Sequence, residues 1–360
     1  MAIHIDELLA KGLEGRASDV FLKVHTPPAM KVHGEVMPID PSYAPLTPTD
    51  VEGFLAQMLR PEQIARFHEQ CECDAAYGLP GRCRFRVNVY KQRGAVGIVF
   101  RTIPLEIPTI EDLKVPAVAK RIAANRTGFI LVTGPTGSGK STTLASMIDL
   151  INRNRRGHIV TIEDPIEFMH MDRRSIVSQR EVGIDTLNFD KALRAVLRQA
   201  PDVILIGEMR DRESISVAMT AAETGHLVLS TLHTNSASET VERIVNMFPP
   251  HEKPQVCLRL SQTLRAVISQ QLLPLKEGGR IAACEIMVVN PTIQGYIEEG
   301  TIGNIYPIMK QSEEQYGMQT MNMALDRYVK AGLVDPREAL ARAGNLTELK
   351  MMLRRTDEEA

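Results

Sequence analysis

Tryptophan is missing from the 360 residues of this chain, and no apolar run approaches the ~20 residues that a membrane-spanning helix requires. Nothing here is therefore expected to insert into a bilayer. A dominant charge is lacking too: 42 basic against 44 acidic side chains leave a net charge of −2, with a pI near 6.5. That balance gives no support to broad nucleic-acid binding. Cysteines are few and odd in number. Cys71, Cys73, Cys83, Cys257 and Cys284 are scattered, form no disulfide framework, and suit the reduced thiols of a cytosolic protein. Cys71-Glu-Cys73 lies near His68 and Cys83 but lacks the paired Cys-x₂-Cys spacing of a zinc knuckle, so these cysteines read as small packing residues. The opening Met-Ala-Ile-His-Ile-Asp-Glu-Leu has no basic segment leading into an apolar one, which argues against secretion. With 17 methionines and no tryptophan, adaptable packing by methionine is expected in the core.

What is present is a phosphate-binding pattern. Residues 134–142 read Gly134-Pro135-Thr136-Gly137-Ser138-Gly139-Lys140-Ser141-Thr142. Glycine, four residues, Gly-Lys and then Ser is the spacing of a loop that cradles nucleotide phosphates. Glycines let the backbone turn tightly and present bare N–H groups to phosphate oxygens. Lys140 would reach the outer phosphates, and the Ser141 hydroxyl is placed to ligate Mg²⁺. The apolar run 129–133 before the loop reads as a buried strand, and 142–152 after it as a helix whose positive end adds to the site. This strand–loop–helix setting points to a nucleoside triphosphate and Mg²⁺ as ligands.

A chain of this length is too long for one core, and two domains are expected. The first hundred residues read as a small α+β domain over 1–103. Strands are expected at 19–25 and 29–36, the second broken at His33-Gly34, with one or two helices over 49–67 and Pro61 opening the second. The run 84–90 alternates strictly: Phe85, Val87 and Val89 share one face, Arg84, Arg86 and Asn88 the other. A turn at 91–94 returns the chain as a partner strand over 95–101, leaving a basic stripe with Arg93 and Arg101. Pro104, Pro108 and Pro116 mark a linker over 104–117. Strands at 129–133, 159–162, 203–206 and 227–230 then alternate with helices such as 189–199 and 212–223, as in a parallel α/β sheet spanning 118–290. From 291 to 360 only helices are expected.

Parallel strands deliver their carboxyl ends to one edge, and ligands bind in the crevice beyond it. The first strand delivers the phosphate loop, the second ends in Glu163, the third in Gly207-Glu208, and the fourth leads to His233. Glu163 can orient and activate water for attack on a γ-phosphate, and Glu208 can hold the Mg²⁺ shell directly or through water. His226 and His233 could sense the γ-phosphate or relay its loss to a neighbouring subunit. The loop contains no arginine, so the stripe Arg84/Arg86/Arg101 could supply transition-state charge, while Arg194, Arg198 and Arg210 could serve as internal clamps or interface pairs.

Assembled in order, these residues resemble the secretion-superfamily hexameric ATPases, and within them the type IV pilus retraction ATPases (PilT/PilU-like). The matching stretches run from Ser18-Asp-Val-Phe21 and Arg84-Phe-Arg-Val-Asn88 through the phosphate loop, Thr161-Ile-Glu-Asp-Pro165 and Gln179-Arg-Glu-Val182. They continue through Ile206-Gly-Glu-Met-Arg-Asp211, Thr224-Gly-His226, Thr231-Leu-His-Thr-Asn235 and Gly317-Met-Gln-Thr320. The resemblance implies a RecA-like P-loop core, a PAS-like first domain and a helical C-terminal part. It casts Glu163 as the catalytic glutamate of the family's Asp box, Glu208 as the Walker B acid, His226 and His233 as the His-box pair, and Arg84, Arg86 and Arg101 as arginines offered to the nucleotide. It further implies a homohexamer in the cytoplasm, peripheral to the inner membrane, docked on the pilus platform protein and working with or beside a paralogous retraction ATPase. Extension and type II secretion relatives usually carry a long extra N-terminal domain and a four-cysteine zinc knuckle, neither of which is seen here. Retraction motors typically show an Ala-Ile-Arg-Asn-Leu-Ile run where this chain has Pro291-Thr-Ile-Gln-Gly-Tyr-Ile297, and 346–353 is nearer the accessory branch. Main and auxiliary motor both stay open. Two other classes share such a scaffold: a nucleic-acid translocase, against which the acidic pI speaks, and a ring that binds ATP without turnover, against which the pair Glu163 and Glu208 speaks.

Overall fold

A computed structural model describes residues 4–79, 82–103 and 106–359, with side chains as far as Arg354. The chain forms two compact units, one of residues up to Glu106 together with Glu167–Met169, the other of Ile107–Ile166 and the chain from His170 onward.

The first unit is built on β1 (Asp19–Lys23), β2 (Ala29–Val32), β3 (Glu35–Pro38), β4 (Glu72–Leu79), β5 (Cys83–Gln92) and β6 (Ala95–Ile103), antiparallel in the order β3-β2-β1-β6-β5-β4. Strict alternation in β5 buries Phe85, Val87 and Val89 completely, and Phe85 meets Phe100 edge-on at 6.0 Å. Each such side chain contributes about 1.5–3 kcal/mol on burial. Helices Ile5–Glu14, Pro48–Met58 and Pro61–Gln70 supply Leu8, Leu9, Phe54 and Phe67 to the same core. The turn between β5 and β6 is only Arg93-Gly94, both with positive φ, which matches the strand twist. On the open face Arg86 stands directly opposite Arg101, and Arg101 is opposite Asp19, whose carboxylate accepts from it at 2.9 Å.

The second unit carries β7 (Gly128–Thr133), β8 (His158–Glu163), β9 (Ile176–Glu181), β10 (Val203–Ile206), β11 (Leu227–Leu232), β12 (Leu264–Pro274) and β13 (Arg280–Val288), in the order β13-β12-β7-β11-β10-β8-β9. From β12 to β9 every pairing is parallel; β13 alone runs antiparallel, against β12. The α/β fold expected from the sequence holds, and the four anticipated strands are all present. Three others were not anticipated. β9 (Ile176-Val-Ser-Gln-Arg-Glu181) is an edge strand with too many polar residues to read as apolar, and β12 and β13 form a long hairpin that turns at Gly278-Gly279.

The expected linker needs correction. Pro104 and Leu105 lie outside the described residues, and Ile110 and Val115 are buried in the second unit's core beside Ile130 and Ile148. The 291–360 helices likewise do not form a unit of their own. Ile293, Ile297 and Met309 share a core with β8 and β10, while Met321, Leu325 and Leu349 pack on Leu273, Ile281 and Ala283 of the β12–β13 hairpin. Among the described residues no helix is long and apolar enough to cross a membrane.

Candidate active site

The loop after β7 leads into the helix Lys140–Asn154, whose N-cap Gly139 has φ +88° and no capping side chain. Its first N–H groups are thus presented to an anion rather than to the protein. Two glycines are dictated by space as well as by φ. A Cβ on Gly134 would lie 2.2 Å from the Gln270 carbonyl oxygen, and one on Gly139 would lie 2.9 Å from the Gln270 amide nitrogen. Lys140 Nζ donates to the carbonyls of Gly134 and Pro135 at 2.8 and 3.0 Å, so the ammonium is stored inside the loop it serves. The buried Ser138 hydroxyl has no partner, an orphan that a phosphate oxygen would satisfy. Cradle, cation and orphan donor fit a nucleotide's phosphates, and the Ser141 hydroxyl and Glu208 carboxylate form the hard-oxygen donor set that suits Mg²⁺.

Gln270 was not anticipated, yet it braces the loop. β12 runs parallel to β7 and brings Gln270 beneath the turn, where its Nε2 donates to the Ser138 carbonyl at 2.8 Å and its Oε1 accepts from Thr143 Oγ1 at 3.0 Å. Next to it Ser269 and Thr133 share a hydroxyl contact of 2.8 Å. The only sequence signal was an apolar run at 264–274 interrupted by Ser269-Gln-Gln271.

Glu163 is the last residue of β8 and Glu208 follows β10, so the structure brings both to the edge that carries the loop. Glu163 Oε1 accepts from Thr161 Oγ1 at 2.6 Å and from Gln179 Nε2 at 3.2 Å. Glu208 is differently held: Arg210 donates to one oxygen at 2.8 Å and His233 Nε2 lies 3.2 Å from the other. Partial burial opposes ionisation of Glu208, but the Arg210 hydrogen bond and the charges of Arg210, His233 and Lys140 outweigh it and hold the carboxyl below its ordinary value. Glu208, Arg210 and His233 open onto a cavity of about 300 Å³, whose far wall includes Glu239 and Arg243. Arg210, anticipated only as a general clamp, is thus part of the site.

The histidine pair is not brought together. His226 precedes β11 and His233 follows it, placing them at opposite edges of the sheet, about 23 Å apart at ~3.3 Å per residue. His226 instead closes the turn after the helix Arg212–Glu223, its Nδ1 within 2.9 Å of the Ala221 carbonyl oxygen. His226 thus stands at the strand end paired with Gly128, and His233 at the end paired with Thr133, where the phosphate loop begins. Arg84, Arg86 and Arg101 share the open face of the first unit's sheet, as expected. Arg194 pairs with Glu213. Cys73 and Cys83 are buried, and among the described residues no group of three or more His, Cys, Asp or Glu side chains is placed to hold a metal.

The family model for type II/IV secretion system proteins matches residues 109–341. The type IV pilus retraction ATPase PilT of Pseudomonas aeruginosa is 46% identical over 95% of this chain and 98% of its own length. The type IV pilus ATPase PilU of the same organism is 42% identical over 98% and 92%. The solved structure of the pilus retraction motor PilT with bound ADP superposes with a TM-score of 0.90 at 41% identity, covering 97% of this chain and 99% of that one. With a family model over most of its length and relatives matched end to end, the chain belongs to the type II/IV secretion system protein family, among the PilT/PilU-like retraction ATPases.

Proposed function

We propose that this protein is a hexameric ATP-driven motor of type IV pilus retraction, working in the cytoplasm against the pilus platform protein of the inner membrane. The observation that carries the chemistry is the convergence of the phosphate loop, Glu163 and Glu208 on one sheet edge from three separate parallel strands. Lys140 exchanges its loop carbonyls for β- and γ-phosphate oxygens. Glu163 accepts a hydrogen bond from the attacking water, aims it at the γ-phosphorus and takes its proton as the new P–O bond forms and the bond to ADP breaks. Ser141 and Glu208 would hold Mg²⁺, directly or through water, and the ion would supply neutralisation of the charge developing on the phosphates. His233, bonded to Glu208, reports the state of that carboxylate to its surroundings, and His226 acts at the opposite edge in contact with other subunits. Arg84, Arg86 and Arg101 supply the transition-state charge that the loop lacks, a contribution of about 10³–10⁵-fold in other phosphoryl-transfer enzymes.

The test is turnover set against binding. Glu163→Gln and Glu208→Gln are each expected to lower ATP turnover by at least about 100-fold while nucleotide affinity changes by less than about 3-fold, since both carboxylates act chiefly in the transition state. Arg84→Ala and Arg86→Ala should follow the same pattern more weakly. Near-normal turnover in either glutamine variant refutes the assignment. In the native host, deletion of the gene should leave surface fibres and abolish or reduce twitching: complete loss of retraction marks the main motor, partial loss the auxiliary one, and loss of the fibres themselves rejects retraction.

A further inference from the structure

The stretch Gln179-Arg-Glu-Val182 has no role in the chemistry above, yet β9 lays it directly beside the Glu163 strand. The register pairs Thr161 with Gln179 and Glu163 with Glu181 in parallel, so all four side chains emerge on one face of the sheet. Gln179 is held from both sides. The backbone N–H of His170 donates to its Oε1 at 2.7 Å, and its Nε2 donates to Glu163 Oε1 at 3.2 Å. An N–H can only donate and a carboxylate can only accept, so the amide's orientation is determined by its neighbours. His170 is itself anchored. It is buried, and the segment after it is tied to the far end of the phosphate-loop helix, where the fully buried Asn152 donates to the Met171 carbonyl at 2.8 Å and accepts from Arg173 N at 3.2 Å.

We propose that Gln179 is a positioning residue for hydrolysis: its amide, aimed by the His170 N–H, fixes the rotamer of Glu163 together with the Thr161 hydroxyl. The inference rests on Glu163 being the residue that activates water. A glutamate on a strand end has three side-chain torsions to lose before its carboxylate is aimed, and two neutral donors on one oxygen remove that freedom without adding charge. Misplacing a catalytic group by about 1 Å costs on the order of 10²-fold in rate.

The experiment uses the full-length protein and four variants, with steady-state ATP turnover, affinity for a fluorescent ADP analogue and thermal midpoint measured on each. Gln179→Met keeps volume and removes the donor; turnover should fall about 10- to 100-fold, with ADP affinity unchanged within about 2-fold and the midpoint unchanged within a few degrees. Gln179→Glu sets a second carboxylate against Glu163. It should be slower still at neutral pH and recover as pH falls, because a protonated carboxyl regains the donor; its pH–rate profile should shift to the acid side of the wild type's. Glu163→Gln combined with Gln179→Met should be no slower than Glu163→Gln alone, since an aimer has nothing to add once its target is gone. If Gln179→Met retains turnover while Glu163→Gln has lost it, the positioning role is overturned and the Glu163 assignment stands. If Glu163→Gln itself turns over normally, that assignment falls and this inference with it. A Gln179→Glu profile parallel to wild type, or a Gln179→Met loss matched by lost ADP affinity, assigns Gln179 to general structure and rejects the proposal. Should Gln179→Met not fold, the Gln179→Glu profile decides alone.

Discussion

Two glutamates stand at neighbouring strand ends of one sheet, and the donors seen on each are different. Glu163 accepts from two neutral donors, Thr161 on its own strand and Gln179 on β9, with the buried His170 close behind. Glu208 is held by charge, with Arg210 on one oxygen and His233 on the other. Neutral donors aim a carboxylate without bringing a charge of their own. Cations make it a poorer base, which suits a group whose task is to stay ionised beside a metal. In the proposed mechanism the same residue type takes two tasks, and different donors stand beside each.

Acid should break the two sides by different routes, and this is the largest effect expected. Burial drives the His170 imidazole down to about 4, with the Asp149 charge acting weakly the other way. A histidine whose folded value is depressed contributes stability that is fully present above its unfolded value near 6.5 and is lost as pH falls toward 4, a window worth up to about 3 kcal/mol. Denaturant melts across that range should show the loss in wild type and a flatter profile in His170→Asn. The charged side has its own acid limit, because the depressed Glu208 carboxyl keeps its pairing above its unfolded value and loses it only as pH drops through the lower folded one.

A smaller effect sharpens the contrast. Arg210→Gln removes the strongest cation on Glu208, so the acid limb of the pH–rate profile should move to higher pH and turnover at neutral pH should fall about 10-fold, with a raised Mg²⁺ requirement. His233→Gln keeps a donor without the charge and should move both quantities in the same direction by only about 2- to 3-fold. If either variant altered turnover with no change in pH dependence or Mg²⁺ requirement, the charge-held description of Glu208 would be wrong.

How far the site could be read from sequence depended on how local each interaction is. The phosphate loop and its flanking elements were legible because their geometry is written in consecutive residues: glycine φ, an apolar strand, an uncapped helix start. Glu163 and Glu208 were legible one step further out, since parallel strands must end on the same edge. Gln179 and Gln270 were not. Both sit in strands that were not recognised, β9 because it is a polar edge and β12 because a long apolar hairpin resembles any buried segment. Both act through contacts across 16 and 132 positions of sequence respectively. His226 shows the converse: it lies seven residues before His233, but a six-residue strand between them carries the two to opposite strand ends.

The sequence by itself determined that there would be a parallel α/β sheet, a phosphate cradle at one strand end and two acids beside it, because strand period, glycine freedom and strand direction are local properties of the chain. Which donors hold each acid was decided only by tertiary structure. Strand order places β9 beside β8 and β12 beside β7, and hydrogen bonds reach only about 3 Å, so the partners of Glu163 and of the loop came into being when distant strands were laid side by side.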